Sequence, residues 1–161
     1  MANITTLLKA ASGNSQRGRN AFMVENTIDI VATTINPSAG DTVQAITLPA
    51  GCKVLAAGVE VVESATMDTG TDAVVSLGFT GGDVDEFVAL FDIDGAADGA
   101  YAPEIAIDGT TVTATDDTID LLFAGTGASF TAGKLRVYAV MMDVSSQGDT
   151  SAQEVDRDAL A

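Results

Sequence analysis

The sequence predicts an all-β chain, an antiparallel sandwich of jelly-roll type, with one short helix near residues 83–91. Three observations carry this. About eight strand-length segments follow one another at short spacing, each bounded by a Gly-, Pro- or Asp-containing turn. Within them apolar residues recur at every second position, the period of a strand. Val, Thr and Gly are abundant, whereas aromatic residues make up 5% and Trp is absent, so the core must be built of Val, Ile, Leu and Ala. An immunoglobulin-like sandwich or a β-barrel tube subunit fits the same strand count and stays open from the pattern alone.

At 161 residues the chain is long enough for one domain with its own core. Three parts are distinguished: a basic N-terminal arm (1–21), a β domain (22–144) and an acidic, polar C-terminal tail (145–161). In the arm Ile4, Leu7, Leu8 and Ala11 fall at helical spacing, and Ser12-Gly13-Asn14-Ser15 breaks the pattern. Lys9, Arg17 and Arg19 make it positive. Such a segment is either a frayed terminus or an arm that docks on an acidic partner or a neighbouring subunit, with Phe22 at its junction.

Phe22–Ile35 is predicted as a long first strand with a parity change near Asp29–Ala32, where a bulge or bend is expected. Asn36–Asp41 is a turn and Val43–Leu48 a short strand. Leu48–Glu63 follows as the expected interior strand: Leu55, Ala57, Val59 and Val61 share one parity and face the core. Ser64–Gly70 is expected as a loop. In Thr71–Gly78, Ala73, Val75 and Leu77 face in, and Asp72, Val74 and Ser76 face out. The period then changes. Val84, Phe87, Val88 and Phe91 are spaced i, i+3, i+4, i+7 behind Asp83 and Glu86, which resemble a capping box. This predicts the helix.

Asp92–Pro103 is an acidic loop, and strands are expected at Glu104–Ile107, Thr110–Thr115 and Asp117–Ala124. In the last of these Ile119, Leu121 and Phe123 face in, and Thr118 and Asp120 face out. Gly125–Gly133 is a turn. Lys134–Asp143 is the final strand, with Leu135, Val137, Ala139 and Met141 inward and Lys134, Arg136 and Tyr138 outward. Because opposite charges favour facing positions in antiparallel pairs, Glu60 is the expected partner of Lys134 or Arg136.

Composition restricts function. The formal net charge is −16, a field that repels nucleic acid and anionic membranes, so neither is expected as a partner. Histidine is absent and Cys52 is the single cysteine. This removes the commonest general base and metal ligand, any intrachain disulfide and any multi-cysteine zinc site. No enzymatic activity and no cofactor are expected. No basic segment leads into an apolar run near Met1, so no secretory signal is expected. No stretch of apolar residues is long enough for a transmembrane helix.

Three acidic clusters are candidate sites. Asp92-Ile93-Asp94-Gly95-Ala96-Ala97-Asp98-Gly99 has the alternating Asp of a calcium loop but lacks the closing Glu and the flanking helices. A solvated loop is the simpler expectation, and no metal site is assigned. Asp116-Asp117 and Asp83/Asp85/Glu86 sit where turns and helix starts favour Asp, so no catalytic residue is assigned.

The order of features resembles small virion structural proteins of tailed bacteriophages, most closely capsid decoration (cement) proteins. The residues concerned are Leu48-Pro49-Ala50-Gly51 leading into a Val-rich strand, Leu77-Gly78 followed by Gly82-Asp83-Val84-Asp85-Glu86-Phe87, and Thr131-Ala132-Gly133 before the strand with Tyr138. The resemblance covers about residues 43–142 and neither tail. It implies a jelly-roll protein, a homotrimer, on the outer capsid surface, bridging major capsid protein subunits against the pressure of packaged DNA. The contacts expected for partner binding are Lys9, Arg17, Arg19 and Phe22. Alternatives are a carbohydrate- or receptor-binding β-sandwich, for which Tyr101 is the loop aromatic able to serve, and a tail or neck structural subunit.

Overall fold

A computed structural model of the protein describes residues 21–31, 37–79, 82–103, 112–127 and 130–144. Lys9, Arg17 and Arg19, the strand expected at Glu104–Ile107, the first residues of Thr110–Thr115 and the polar tail lie outside the described residues. The elements are β1 (Phe22–Asp29), β2 (Thr42–Leu48), β3 (Cys52–Met67), β4 (Gly70–Gly78), β5 (Val88–Asp92), β6 (Asp117–Gly127) and β7 (Phe130–Asp143). All pairings between these strands are antiparallel. One sheet has the order β1-β7-β3, the other β2-β6-β4-β5.

The alternation in the sequence places the core. Ala73, Val75 and Leu77 of β4, Ile119, Leu121 and Phe123 of β6, and Leu135, Val137, Ala139 and Met141 of β7 are all buried. With Ala57, Val59 and Val61 of β3 they form one cluster between the sheets. Each large aliphatic side chain so buried contributes about 1.5–3 kcal/mol. Phe87 and Phe123 supply the aromatic part, with Phe79 edge-on to Phe87 at 5.2 Å and Phe130 edge-on to Phe123 at 5.8 Å.

The helix predicted at 83–91 does not form. Residues 84–87 are turns and bends, and β5 follows. The helical spacing has another cause. Leu77 faces Val88 and Val75 faces Phe91, so β5 carries one residue more than β4 over this interval. Leu90 takes the excess, with φ 38°. A bulge of this kind turns Val88 and Phe91 to the same side, as i, i+3 would on a helix. Of the other two members of the supposed apolar face, Phe87 is buried and Val84 is 40% exposed. The backbone groups find strand-edge partners instead: Phe79 N–H donates to Asp83 O at 2.7 Å and Phe87 N–H to Leu77 O at 2.9 Å.

Other expectations shift by register. β1 ends at Asp29 rather than Ile35, and Ile30 turns in to donate to Gly133 O. β3 runs on to Met67, so the loop expected from Ser64 shrinks to Asp68-Thr69. β6 continues to Gly127 and β7 begins at Phe130, which removes most of the turn expected at Gly125–Gly133. The interior strand of its sheet is β7, not β3, which lies at the edge. Leu55 is 41% exposed, because the β3–β7 register slips between Val54 and Ala56 and turns Leu55 out of the core row. Ser76 and Asp120, expected to face out to solvent, are buried. Ser76 Oγ accepts the Leu90 N–H at 3.2 Å, and Asp120 lines a small cleft together with Phe79 and Val84.

Candidate functional site

The outward parity of β7 builds a surface across the three-stranded sheet. Arg136 stands between Thr27 of β1 and Glu60 of β3, and Tyr138 between Glu25 and Gly58. Lys134 stands between Asp29 and Glu63 in the row beyond. Arg136 donates from Nη1 to Glu60 Oε2 at 2.9 Å, and Lys134 Nζ reaches Glu63 Oε2 at 2.9 Å and Asp29 Oδ2 at 4.0 Å. The Glu60 partner expected from the sequence is therefore Arg136. The hydrogen bond from Lys134 to Glu63, then the charges of Glu63 and Asp29, raise the Lys134 ammonium above its ordinary pKa.

Tyr101 completes this surface from the loop after β5. Its backbone lies along the free edge of β3, in an antiparallel bridge with Glu60. Val61 N–H donates to Ala100 O at 2.8 Å, and Ala102 N–H donates to Val59 O at 2.9 Å, so the main chain is held on both sides of Tyr101. The side chain remains 59% exposed. Its ring meets Tyr138 edge-on at 6.2 Å. Tyr138 can reach Tyr101 only because Gly58 lies beneath it: a Cβ there would stand 2.5 Å from the Tyr138 hydroxyl oxygen.

Met23, Glu25, Glu60, Tyr101, Arg136 and Tyr138 enclose a groove of about 280 Å³. Two tyrosines and an arginine held in place are the residue types that dominate protein contact energies. Arg136 Nε is buried and has no hydrogen-bond partner among the described residues. Glu25 leaves the groove with an excess of negative charge. Its chemistry suits a partner that brings cationic groups and an apolar stem to the tyrosine rings.

The sequence placed Arg136 and Tyr138 on the outward face but did not join them to Tyr101, Met23 and Glu25. Only the pairing of β1 and of the loop with β3 and β7 brings these together. Phe22, the described member of the expected contact set, is 43% exposed at the start of β1, next to the groove wall at Met23.

The acidic clusters serve local backbone. Asp92 Oδ1 accepts the Asp94 N–H at 3.0 Å, and Asp98 Oδ1 accepts the Ser64 N–H at 2.8 Å. Asp116 Oδ1 accepts the Ala50 N–H at 2.9 Å. Asp83 raises the Asp85 carboxyl above its ordinary value, by hydrogen bonding first and by charge second. Among the described residues no group of three His, Cys, Asp or Glu side chains is placed to hold a metal ion. Cys52 is buried, and burial, then the Asp143 charge, push its thiol up, away from the reactive thiolate.

Comparison with protein-family models finds no match, and neither does comparison with curated proteins. Two solved structures are similar. One is a chain of the cyanophage Pam1 capsid asymmetric unit, at TM-score 0.60 and 20% identity, over 88% of this chain and 97% of that one. The other is a chain of the acidic stable capsid structure of the Helicobacter pylori bacteriophage KHP30, at TM-score 0.50 and 14% identity, over 78% and 89%. The chain thus shares its fold with chains found in the capsid structures of two bacteriophages.

Proposed function

We propose that this chain is a non-enzymatic virion structural protein of a tailed bacteriophage. It binds the outer surface of the assembled capsid and cements neighbouring major capsid protein subunits against internal DNA pressure. The observation that carries this reading is the match over 97% of a chain from a phage capsid structure.

The strand order supports the jelly-roll part of the reading. Tyr101 bridges Glu60 and Val112 bridges Lys53, both antiparallel, on the free edge of β3. With that edge counted as a fourth position, the sheets become four-stranded and interleaved as in a double Greek key. The charge supports an outside location, since a chain at −16 is repelled by packaged DNA. Several modest contacts per homotrimer would add as avidity, and binding only the assembled lattice stabilises that lattice by mass action.

Purified protein mixed with empty, expanded shells should co-sediment with them and raise the force or temperature at which they rupture. Deleting Met1–Asn20 should leave the β domain folded and weaken shell binding. Full occupancy by the truncated protein would remove the arm from the mechanism, and failure of the intact protein to bind shells would remove the cement role.

One observation favours a second reading. Tyr101, exposed and held on both sides by backbone hydrogen bonds, is an aromatic platform beside an Arg–Glu pair, a set that also suits a sugar ring. Glycan-array binding that disappears in Tyr101→Ala would favour a receptor-binding module over a cement protein.

A further inference from the structure

We propose that the groove between Tyr101, Tyr138, Arg136, Glu60, Glu25 and Met23 receives the basic N-terminal arm, residues 1–21, of a second copy of the chain. This rests on the self-association part of the proposed function and not on shell binding. Charge is the first argument. Lys9, Arg17 and Arg19 lie in the arm, and no acidic residue precedes Glu25. The remainder of the chain sets four cations against all 23 carboxylates. The arm is thus a cationic stretch on an acidic molecule, and the groove, with Glu25 and Glu60 against Arg136, carries the complementary sign.

Where the arm begins is the second argument. It joins the fold at Phe22, and the next residue, Met23, is already a wall of the groove. β1 runs from this point past Glu25 toward Thr27, the row of Arg136 and Glu60. Arg19 and Arg17 lie three and five residues before Phe22, a reach of roughly 10 to 18 Å, and Lys9 a reach of roughly 45 Å. Such lengths would let the arm reach the groove of an adjacent subunit. Exchange of an arm into a neighbour's groove is a head-to-tail contact, which closes into a ring when the rotation permits.

The groove fits such a guest. Glu25 offers a carboxylate at its wall, and the rings of Tyr101 and Tyr138 offer faces and edges to a guanidinium and its stem. Tyr101 is held in place by the Val59 and Val61 hydrogen bonds before any partner arrives, which lowers the ordering cost of docking.

Sedimentation velocity of the full chain over a concentration series, without shells, tests this. The wild type should associate, and Arg17→Glu with Arg19→Glu should weaken association by about tenfold or more. Glu25→Arg alone should weaken it similarly, and joining it to the arm reversals should recover most of the loss. A photo-crosslinking amino acid at position 101, in an equal mixture of isotopically heavy and light protein, identifies the guest. Adducts between residues 1–21 of one isotope and the groove of the other support the proposal. A chain that stays monomeric, adducts confined to one isotope, or adducts lacking arm peptides would overturn it, whereas shell binding stands or falls by its own assay.

Discussion

Tyr138 lies across Gly58 so closely that a Cβ on Gly58 would stand 2.5 Å from its hydroxyl oxygen and 2.7 Å from Cζ. The obstacle is the far end of a rotatable side chain. Gly58→Ala should therefore fold, lose about 1 kcal/mol at the low end of overpacking costs, and displace Tyr138 from Tyr101. Gly78→Ala makes the contrast, because its Cβ would meet the Asp83 and Val84 backbone, which cannot swing away. It should lose about 3 kcal/mol. Denaturant midpoints at unchanged slope measure both, and equal losses would contradict this account.

Glu60 and Arg136 form the ion pair at the groove floor, with the Glu60 side chain 15% and the Arg136 side chain 37% exposed. Glu60→Ala should cost about 1–2 kcal/mol, because Arg136 would keep its partial burial and lose its acceptor. Water still reaches Arg136, which holds the loss below that of a fully buried pair. Glu60→Gln, which retains an acceptor, should lose less. A double-mutant cycle with Arg136→Ala should give a coupling of about 1 kcal/mol, and a coupling near zero would mean that solvent already satisfies both groups.

Lys134 sets a pH dependence. Its folded pKa is raised above the ordinary 10.5, first by its hydrogen bond to Glu63, then by the charges of Glu63 and Asp29. A raised folded pKa stabilises fully below 10.5, and that stability is lost as pH rises through the folded value. Wild type should therefore exceed Glu63→Gln in thermal midpoint at neutral pH, and the gap should close at alkaline pH above 10.5. A gap constant through that range would exclude the Lys134 proton as its origin.

The fold was legible wherever strands keep their period. Ile119, Leu121 and Phe123, or Leu135, Val137, Ala139 and Met141, are buried as the alternation requires. It was illegible where one residue is inserted. The slip between Val54 and Ala56 exposes Leu55, and the excess at Leu90 gives strand β5 the spacing of a helix. No local composition marks either place, since a bulge is decided by pairing with another strand. The Glu60–Arg136 pair was legible because it depends on cross-strand parity alone. The groove was not, because Tyr101 reaches it through a loop whose backbone pairs with β3 only in three dimensions.

Leu90 carries the strain that the bulge in β5 requires. Its φ of 38° is in the left-handed region, which costs an L side chain about 1–2 kcal/mol. The conformation is fixed from outside: Val88 and Phe91 are in register with β4, and Ser76 Oγ accepts the Leu90 N–H. The side chain is 66% exposed, so its removal forfeits little burial. Leu90→Gly relieves the strain but enlarges the freedom of the unfolded chain, which returns about 0.5–1 kcal/mol of the gain. The net expectation is a stabilisation of up to about 1 kcal/mol. Leu90→Val, β-branched and poorly suited to positive φ, should be destabilised by a comparable amount. Thermal midpoints should therefore fall in the order Gly, Leu, Val. The reverse order would mean that position 90 is extended, and the spacing of Val88 and Phe91 would then need an origin other than a bulge.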